Sequence, residues 1–164
     1  MAYLLDKSVF LQAKNLYYQM IFCPAFWEWM KISSKKGIIF TTDKVFYSLQ
    51  KNEHDIGPWL IDLKGSLAKS TQFPLQQIGD KIRETFRSGT YLEGAEHAFM
   101  CSDDFFLVAL ALANNYTIVS NVEKNDKARA EVNLPYLCYL LKINCITPFD
   151  MLKKENPRFV LDRN

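Results

Sequence analysis

Several things this sequence lacks narrow it before anything it contains is weighed. No apolar run approaches the ~18 residues that a membrane span needs, the longest candidate being Phe105 to Ala113. The opening Met1-Ala2-Tyr3-Leu4-Leu5-Asp6 has neither a basic stretch nor a small-residue cleavage site, so it does not read as a secretory signal. The four cysteines, Cys23, Cys101, Cys138 and Cys145, show no CxxC or CxxH pairing and lie among apolar neighbours such as Phe22, Met100, Leu137 and Ile146. Buried, reduced thiols in a cytoplasmic protein are the expectation. His54 and His97 have no ligand-like spacing. Charge of one sign is scarce too: the net charge is +2. Nucleic acid would then have to be held by a local basic patch, not by bulk attraction. Repeats, linkers and low-complexity tracts are absent, and one domain over residues 1–164 is expected.

What is present is a large supply of core-forming side chains. Hydrophobic residues make up 49% of the chain and aromatics 14%, enough for a substantial core at this length. Ala2 to Leu5 is a brief apolar run without alternation, as expected of a strand buried on both faces of a parallel sheet. Pro24 opens a helical stretch to Lys36 with Phe26, Trp27 and Met30 on one stripe, and Gly37 is a natural stop. Ile38 to Phe40 forms a second strand, and Thr42 or Asp43 caps a helix carrying Val45, Phe46 and Leu49. Trp59, Leu60 and Leu63 share a helical face, and after Pro74 so do Leu75, Ile78, Ile82 and Phe86. Ser102 or Asp103 caps a helix that is apolar all round from Phe105 to Ala113, which only an interior position tolerates. Thr117 to Ser120 and Asn144 to Thr147 read as further strands, with helices from Leu134 to Leu141 and from Pro148. Strands alternating with helices predict an α/β fold with a central parallel sheet of at least four strands.

Two acids stand where these elements reach the surface: Asp6 ends the first strand and Asp104 opens the most apolar helix. In parallel α/β sheets, sites gather at the carboxyl ends of strands because the connecting loops converge there. Carboxylates brought together repel unless a cation intervenes, and Mg²⁺ or Mn²⁺ prefers oxygen ligands. Either acid could instead serve a helix N-terminus, where the dipole favours negative charge; Asp103 suits that role equally well.

The segments Leu5-Asp6-Lys7-Ser8-Val9-Phe10 and Asp104-Phe105-Phe106-Leu107-Val108-Ala109 resemble the first and third acidic motifs of the PIN-domain nucleases. Tyr17-Tyr18, Cys23-Pro24-Ala25-Phe26-Trp27-Glu28-Trp29, Cys145 to Leu152 and the closing Arg158-Phe159-Val160-Leu161 resemble a branch of VapC-like toxins from bacterial toxin–antitoxin pairs. The resemblance implies a PIN-like domain and a metal-dependent endoribonuclease held inactive by a cognate antitoxin. It implies a site of Asp6, Asp104 and Glu123 around Mg²⁺ or Mn²⁺, supported by Ser8, Asp103 and Ser48. RNA phosphates would be met by Lys124, Lys127 and Arg129, and a homodimer is compatible with the family.

The sequence also departs from the motif. Ser48 stands where the second acid is expected, and Val122 where the fourth is, with Glu123 one residue on. Glu53 and Asp55 lie too far round or along the helix to replace Ser48. A glutamate restored at position 48 is expected to tighten Mg²⁺ binding. The alternative is a catalytically degenerate PIN domain that acts by binding protein or RNA. An antitoxin groove is expected as an exposed aromatic patch near the N-terminal helices, among Tyr17, Tyr18 and Trp59.

Overall fold

The computed structural model describes residues 2–72, 75–87 and 91–160. The helix start expected at Pro74, and Leu161 of the closing motif, lie outside the described residues. Strand β1 (Tyr3–Leu5) is followed by α1 (Lys7–Asn15) and α2 (Pro24–Lys35), then β2 (Ile39–Thr42) and α3 (Asp43–Asn52). Two short helices, α4 (Gly57–Ile61) and α5 (Lys64–Leu67), lead to β3 (Ala68–Lys69). The chain continues through α6 (Gln76–Phe86), α7 (Ala95–Met100), α8 (Asp103–Asn114) and β4 (Thr117–Val119). It ends in α9 (Leu134–Leu140), β5 (Cys145–Ile146) and α10 (Pro148–Glu155). The strands form one sheet in the order β3-β2-β1-β4-β5, every pair parallel.

The sheet works because its middle strands are apolar on both faces. In β1, Tyr3 and Leu5 point into one cluster and Leu4 into the other; in β2, Ile39 and Phe40 divide likewise, as do Val119 and Ile118 in β4. That is the period-two alternation of a strand, here with a core on each side. The first cluster is completed by α1 to α5 and α10, through Phe10, Phe26, Trp27, Met30, Phe46 and Met151. The second is completed by α6 to α9, with α8 buried along most of its length from Phe105 to Ala111. Burying both faces removes large aromatic area from water, so truncating a ring such as Trp27, whose Nε1 also donates to the Tyr18 carbonyl at 2.6 Å, costs about 3–5 kcal/mol.

The turns are chemically explicit. Gly37 sits at φ 72° just past α2, a left-handed position that a side chain resists. Asn115 closes α8 at φ 55°, a conformation asparagine tolerates. Thr42 caps α3 by accepting from the Val45 amide, and Thr147 caps α10 in the same way. Of the expected elements, the N-terminal strand, the helix opened by Pro24 and the all-apolar helix fall within a residue or two of prediction. The sheet gains a fifth strand, β3, too short and too polar to announce itself, and α1 and α7 are helices beyond those expected. The cysteines are free, but Cys101 is exposed, 3.9 Å from His97 Nε2, which corrects the expectation that all four are buried.

Candidate active site

Strand order places β1 at the centre, with β2 on one side and β4 on the other. The chain therefore leaves β1 toward one edge and later returns on the opposite side. Loops diverge at such a switch point and open a crevice outside the carboxyl ends of the strands. Asp6 and Ser120 stand there as the next residues after the paired Leu5 and Val119.

Asp6 is held from several directions. Its amide donates to the Val119 carbonyl at 2.9 Å, continuing the β1–β4 ladder by one residue. Its side chain is 5% exposed, and Oδ2 accepts from Ser8 Oγ at 2.5 Å and from Ser120 Oγ at 2.9 Å. Both hydroxyl oxygens accept backbone amides in turn, Ser8 from Asn121 at 3.1 Å and Ser120 from Val122 at 3.1 Å. Those amides fix each hydroxyl oxygen as acceptor and leave its proton for the carboxylate. Asp6 occupies the N-cap position of α1 yet makes no side-chain cap. Its carboxylate serves the crevice.

Asp104 comes from the opposite side, as the second residue of α8 beside Asp103. Burial pushes its carboxyl up to about 6, and the neighbouring charges of Asp6 and then Asp103 push the same way. The helix N-terminus pulls in the other direction and is outweighed. Asp6 and the adjacent pair Asp103–Asp104 thus approach one another from separate elements, near enough for the charge of Asp6 to be felt at Asp104.

The remaining expected residues divide. Ser48 of α3 accepts a hydrogen bond from Lys7 Nζ at 2.9 Å, so an ammonium sits where the motif leads one to expect an acid. Glu53 and Asp55 are engaged elsewhere, both paired with Lys14 at 2.9 and 3.0 Å. Asp43, at the end of β2, is tied to Thr71 through Oγ1 at 2.7 Å. Glu123 is exposed in the loop after β4. Asn133 braces that loop, donating to the Glu123 carbonyl at 2.8 Å and accepting from the Asn125 amide at 3.0 Å. Among the described residues, no group of three or more His, Cys, Asp or Glu is arranged to hold a metal ion, so the three-carboxylate set with Glu123 is not assembled. Lys124 lies 3.6 Å from the Tyr139 ring centroid, and Arg129 Nη1 donates to the carbonyls of its own loop, Asp126 and Ala128. Lys127 is exposed. Ser120 was not singled out from sequence. Its signal was positional, a hydroxyl directly after a buried strand as Asp6 is directly after β1.

Beside the crevice runs an apolar groove lined by Val9, Tyr17, Tyr18, Phe26, Asn121 and Phe149, sharing Asn121 with the Ser8 network. Tyr17 is 65% exposed, with its ring centroid 6.2 Å from that of Phe149. Tyr18 and Trp59 are half-buried, and Ile21 and Phe22 are exposed on the same α1–α2 connection.

A family model described as a domain of unknown function (DUF4411) matches residues 3–159. The chain belongs to that family. Comparison with curated proteins gives no match. Among solved structures, the DUF4411 chain is similar to a chain of VapBC2 from Rickettsia felis, bound to a DNA fragment from their promoter. The TM-score is 0.56 at 14% identity, covering 90% of this chain and 98% of that one. That likeness shows the fold: a PIN-like α/β domain with a parallel sheet flanked by helices.

The DUF4411 site has a limited donor set for a divalent cation. It offers carboxylates on two elements that repel one another, one of them holding its proton to about pH 6. Such a set does not make an all-protein cage. It suits an ion such as Mg²⁺, which is commonly bound through one or two carboxylates and keeps waters or substrate phosphates as its other ligands.

Proposed function

We propose that this protein is a toxin-type endoribonuclease of a toxin–antitoxin pair, hydrolysing RNA phosphodiester bonds at Asp6 and Asp104 with Mg²⁺ or Mn²⁺. The observation that carries this is the placement of Asp6 at the switch point with Asp104 near enough that the charge of Asp6 adds to the rise of its carboxyl. A bound cation relieves that repulsion, and the chemistry it supplies is a water of lowered pKa together with compensation of charge on the phosphoryl oxygens. Ser8 and Ser120 hold Asp6 in one orientation, leaving Oδ1 without a protein hydrogen bond among the described residues. Asp103 adds negative charge at the mouth of α8. Asp104, its carboxyl raised to about 6 chiefly by burial, would hold such a cation in the ionised form that predominates at neutral pH.

Support for a protein partner comes from the groove of Tyr17, Tyr18 and Phe149, an apolar surface abutting the acidic crevice. A cognate antitoxin laid there would block access to Asp6 and Asp104. The similar VapBC2 of Rickettsia felis is bound to a DNA fragment from their promoter. No helix among the described residues is long and apolar enough to cross a membrane. A cytoplasmic setting is part of the same proposal.

A second reading has its own observation. With Lys7 at Ser48 and Glu123 in solvent, the acidic centre is reduced, which favours a PIN domain that binds protein or RNA without cutting it. RNA cleavage with Mg²⁺ or Mn²⁺, comparing wild type with Asp6→Asn, separates the two. Metal-dependent cleavage lost in the variant supports the nuclease. A wild type that is inert yet arrests growth and is rescued by an antitoxin encoded beside it supports the binding role.

A further inference from the structure

Lys7 follows Asp6 directly, yet the structure does not use it to neutralise an acid. Its ammonium crosses to α3 and donates to the neutral hydroxyl of Ser48 at 2.9 Å, in half-buried surroundings. Asp6 takes its side-chain hydrogen bonds from Ser8 and Ser120 instead. Among the described residues, Lys7 makes no ion pair. The other lysine of α1 shows what a bracing lysine looks like here: Lys14 binds both Glu53 and Asp55. A lysine ammonium carries three protons, and Ser48 takes one. The charge and the remaining protons are unspent, at the end of the sheet where the acids gather. A half-buried cation aimed by a neutral acceptor is suited to an anion that arrives from outside.

We propose that Lys7, aimed by Ser48, is a phosphate-anchoring residue that grips a non-bridging oxygen of the single-stranded nucleic-acid backbone at the Asp6–Asp104 crevice. Lysine meets phosphate as a compact point charge, so the contact positions the strand without reading its sequence. The hydroxyl at position 48 is then functional. A carboxylate there would consume the charge that the backbone needs. This proposal rests on the nucleic-acid reading above, but it concerns holding the strand, not cutting it.

The test is fluorescence anisotropy with an end-labelled single-stranded oligoribonucleotide in EDTA, across a salt series, for wild type, Lys7→Met, Lys7→Arg and Ser48→Ala. Loss of one charge-assisted contact should weaken binding about tenfold. It should also make the slope of log affinity against log salt shallower by about 0.7, the value for one phosphate on a single strand. Lys7→Arg should retain the wild-type slope, which a purely structural clamp between α1 and α3 gives no reason to expect of the pair. Ser48→Ala should weaken binding by a smaller factor with the slope kept. Equal affinity and slope in wild type and Lys7→Met overturn the proposal, as does a wild type that binds no oligonucleotide. Should Lys7→Met fail to fold, Ser48→Ala decides: weakened binding at an unchanged melting temperature supports the proposal, and unchanged binding overturns it. A parallel incubation with Mg²⁺ keeps the two ideas apart. Lys7-dependent binding without cleavage leaves the anchor standing and removes the nuclease; cleavage with Lys7-independent binding does the reverse.

Discussion

The two sides of the crevice are built on opposite principles. On the β1–β4 side, Asp6 is locked by two hydroxyls that are themselves locked by backbone amides, so its position is decided before any ligand arrives. On the α8 side, Asp104 is half-buried within the field of two other acids, and its carboxyl is driven up to about 6, chiefly by desolvation. One side is preorganised by hydrogen bonds, and the other is left in electrostatic tension. A site divided this way has a fixed anchor and a group whose protonation responds to what enters. That division can be attacked from either side.

The largest effect is expected on the anchored side. Asp6→Asn keeps the shape but removes the charge, and cleavage should fall at least about 100-fold, in line with the several kcal/mol a metal-assisted site contributes. Steady-state cleavage of a labelled RNA measures it, and near-normal turnover in the variant would sink the assignment of Asp6. Next comes the hydroxyl lock. Ser120→Ala removes a buried hydrogen bond to the carboxylate and the acceptor of the Val122 amide. It should lower stability by about 1.5–3 kcal/mol in urea unfolding, the range for bonds to charged groups. A change within experimental scatter would mean that Asp6 does not depend on the lock.

The tense side should show itself through pH. The Asp104 carboxyl sits at about 6 in the folded chain against an ordinary value of 3.8, so the folded state holds this proton more tightly. Its stabilising contribution is complete below about pH 4 and is lost as pH rises through about 6. Without divalent cation, Asp104→Asn should therefore melt higher than wild type at pH 8 and match it at pH 4. Added Mg²⁺ should raise wild type but not the variant. Parallel melting curves at both pH values would show that the tension is absent. The smallest effect is expected from Glu123→Gln, because that side chain stands in solvent: cleavage should stay within about twofold of wild type. A larger loss would bring the loop after β4 back into the site.

Much of the fold could be read from the chain because its signals are local. Continuous apolar runs marked β1, β2 and β4, and Pro24, Gly37 and Pro148 marked helix ends. β3 escaped because Ala68–Lys69 has no apolar run, and its existence depends on an edge offered by β2. The site was legible where chemistry sat at an element's end, as with Asp6 and Asp104. It was not legible where long-range ties decide. Glu123 is exposed in a loop braced at its backbone by Asn133, and the partner of Ser48 is Lys7, far away in sequence. The latter also revises an expectation. A glutamate placed at position 48 would meet the Lys7 ammonium and form an ion pair with it, so the acid is not recovered for a metal unless Lys7 is replaced as well.

The central place of β1 has a consequence for how the molecule comes into being. During synthesis, β1 emerges early and can pair with β2, but its other edge stays open until β4 is made. The α8 acids are made before β4, but the Ser120 hydroxyl that holds Asp6 comes directly after it. A growing chain that stops short of Thr117 thus carries Asp6 on an unfinished sheet, without the β4 edge and the hydroxyl that fix its carboxylate. Under the toxin reading proposed above, a copy that ends before β4 lacks the hold on Asp6 on which the site depends.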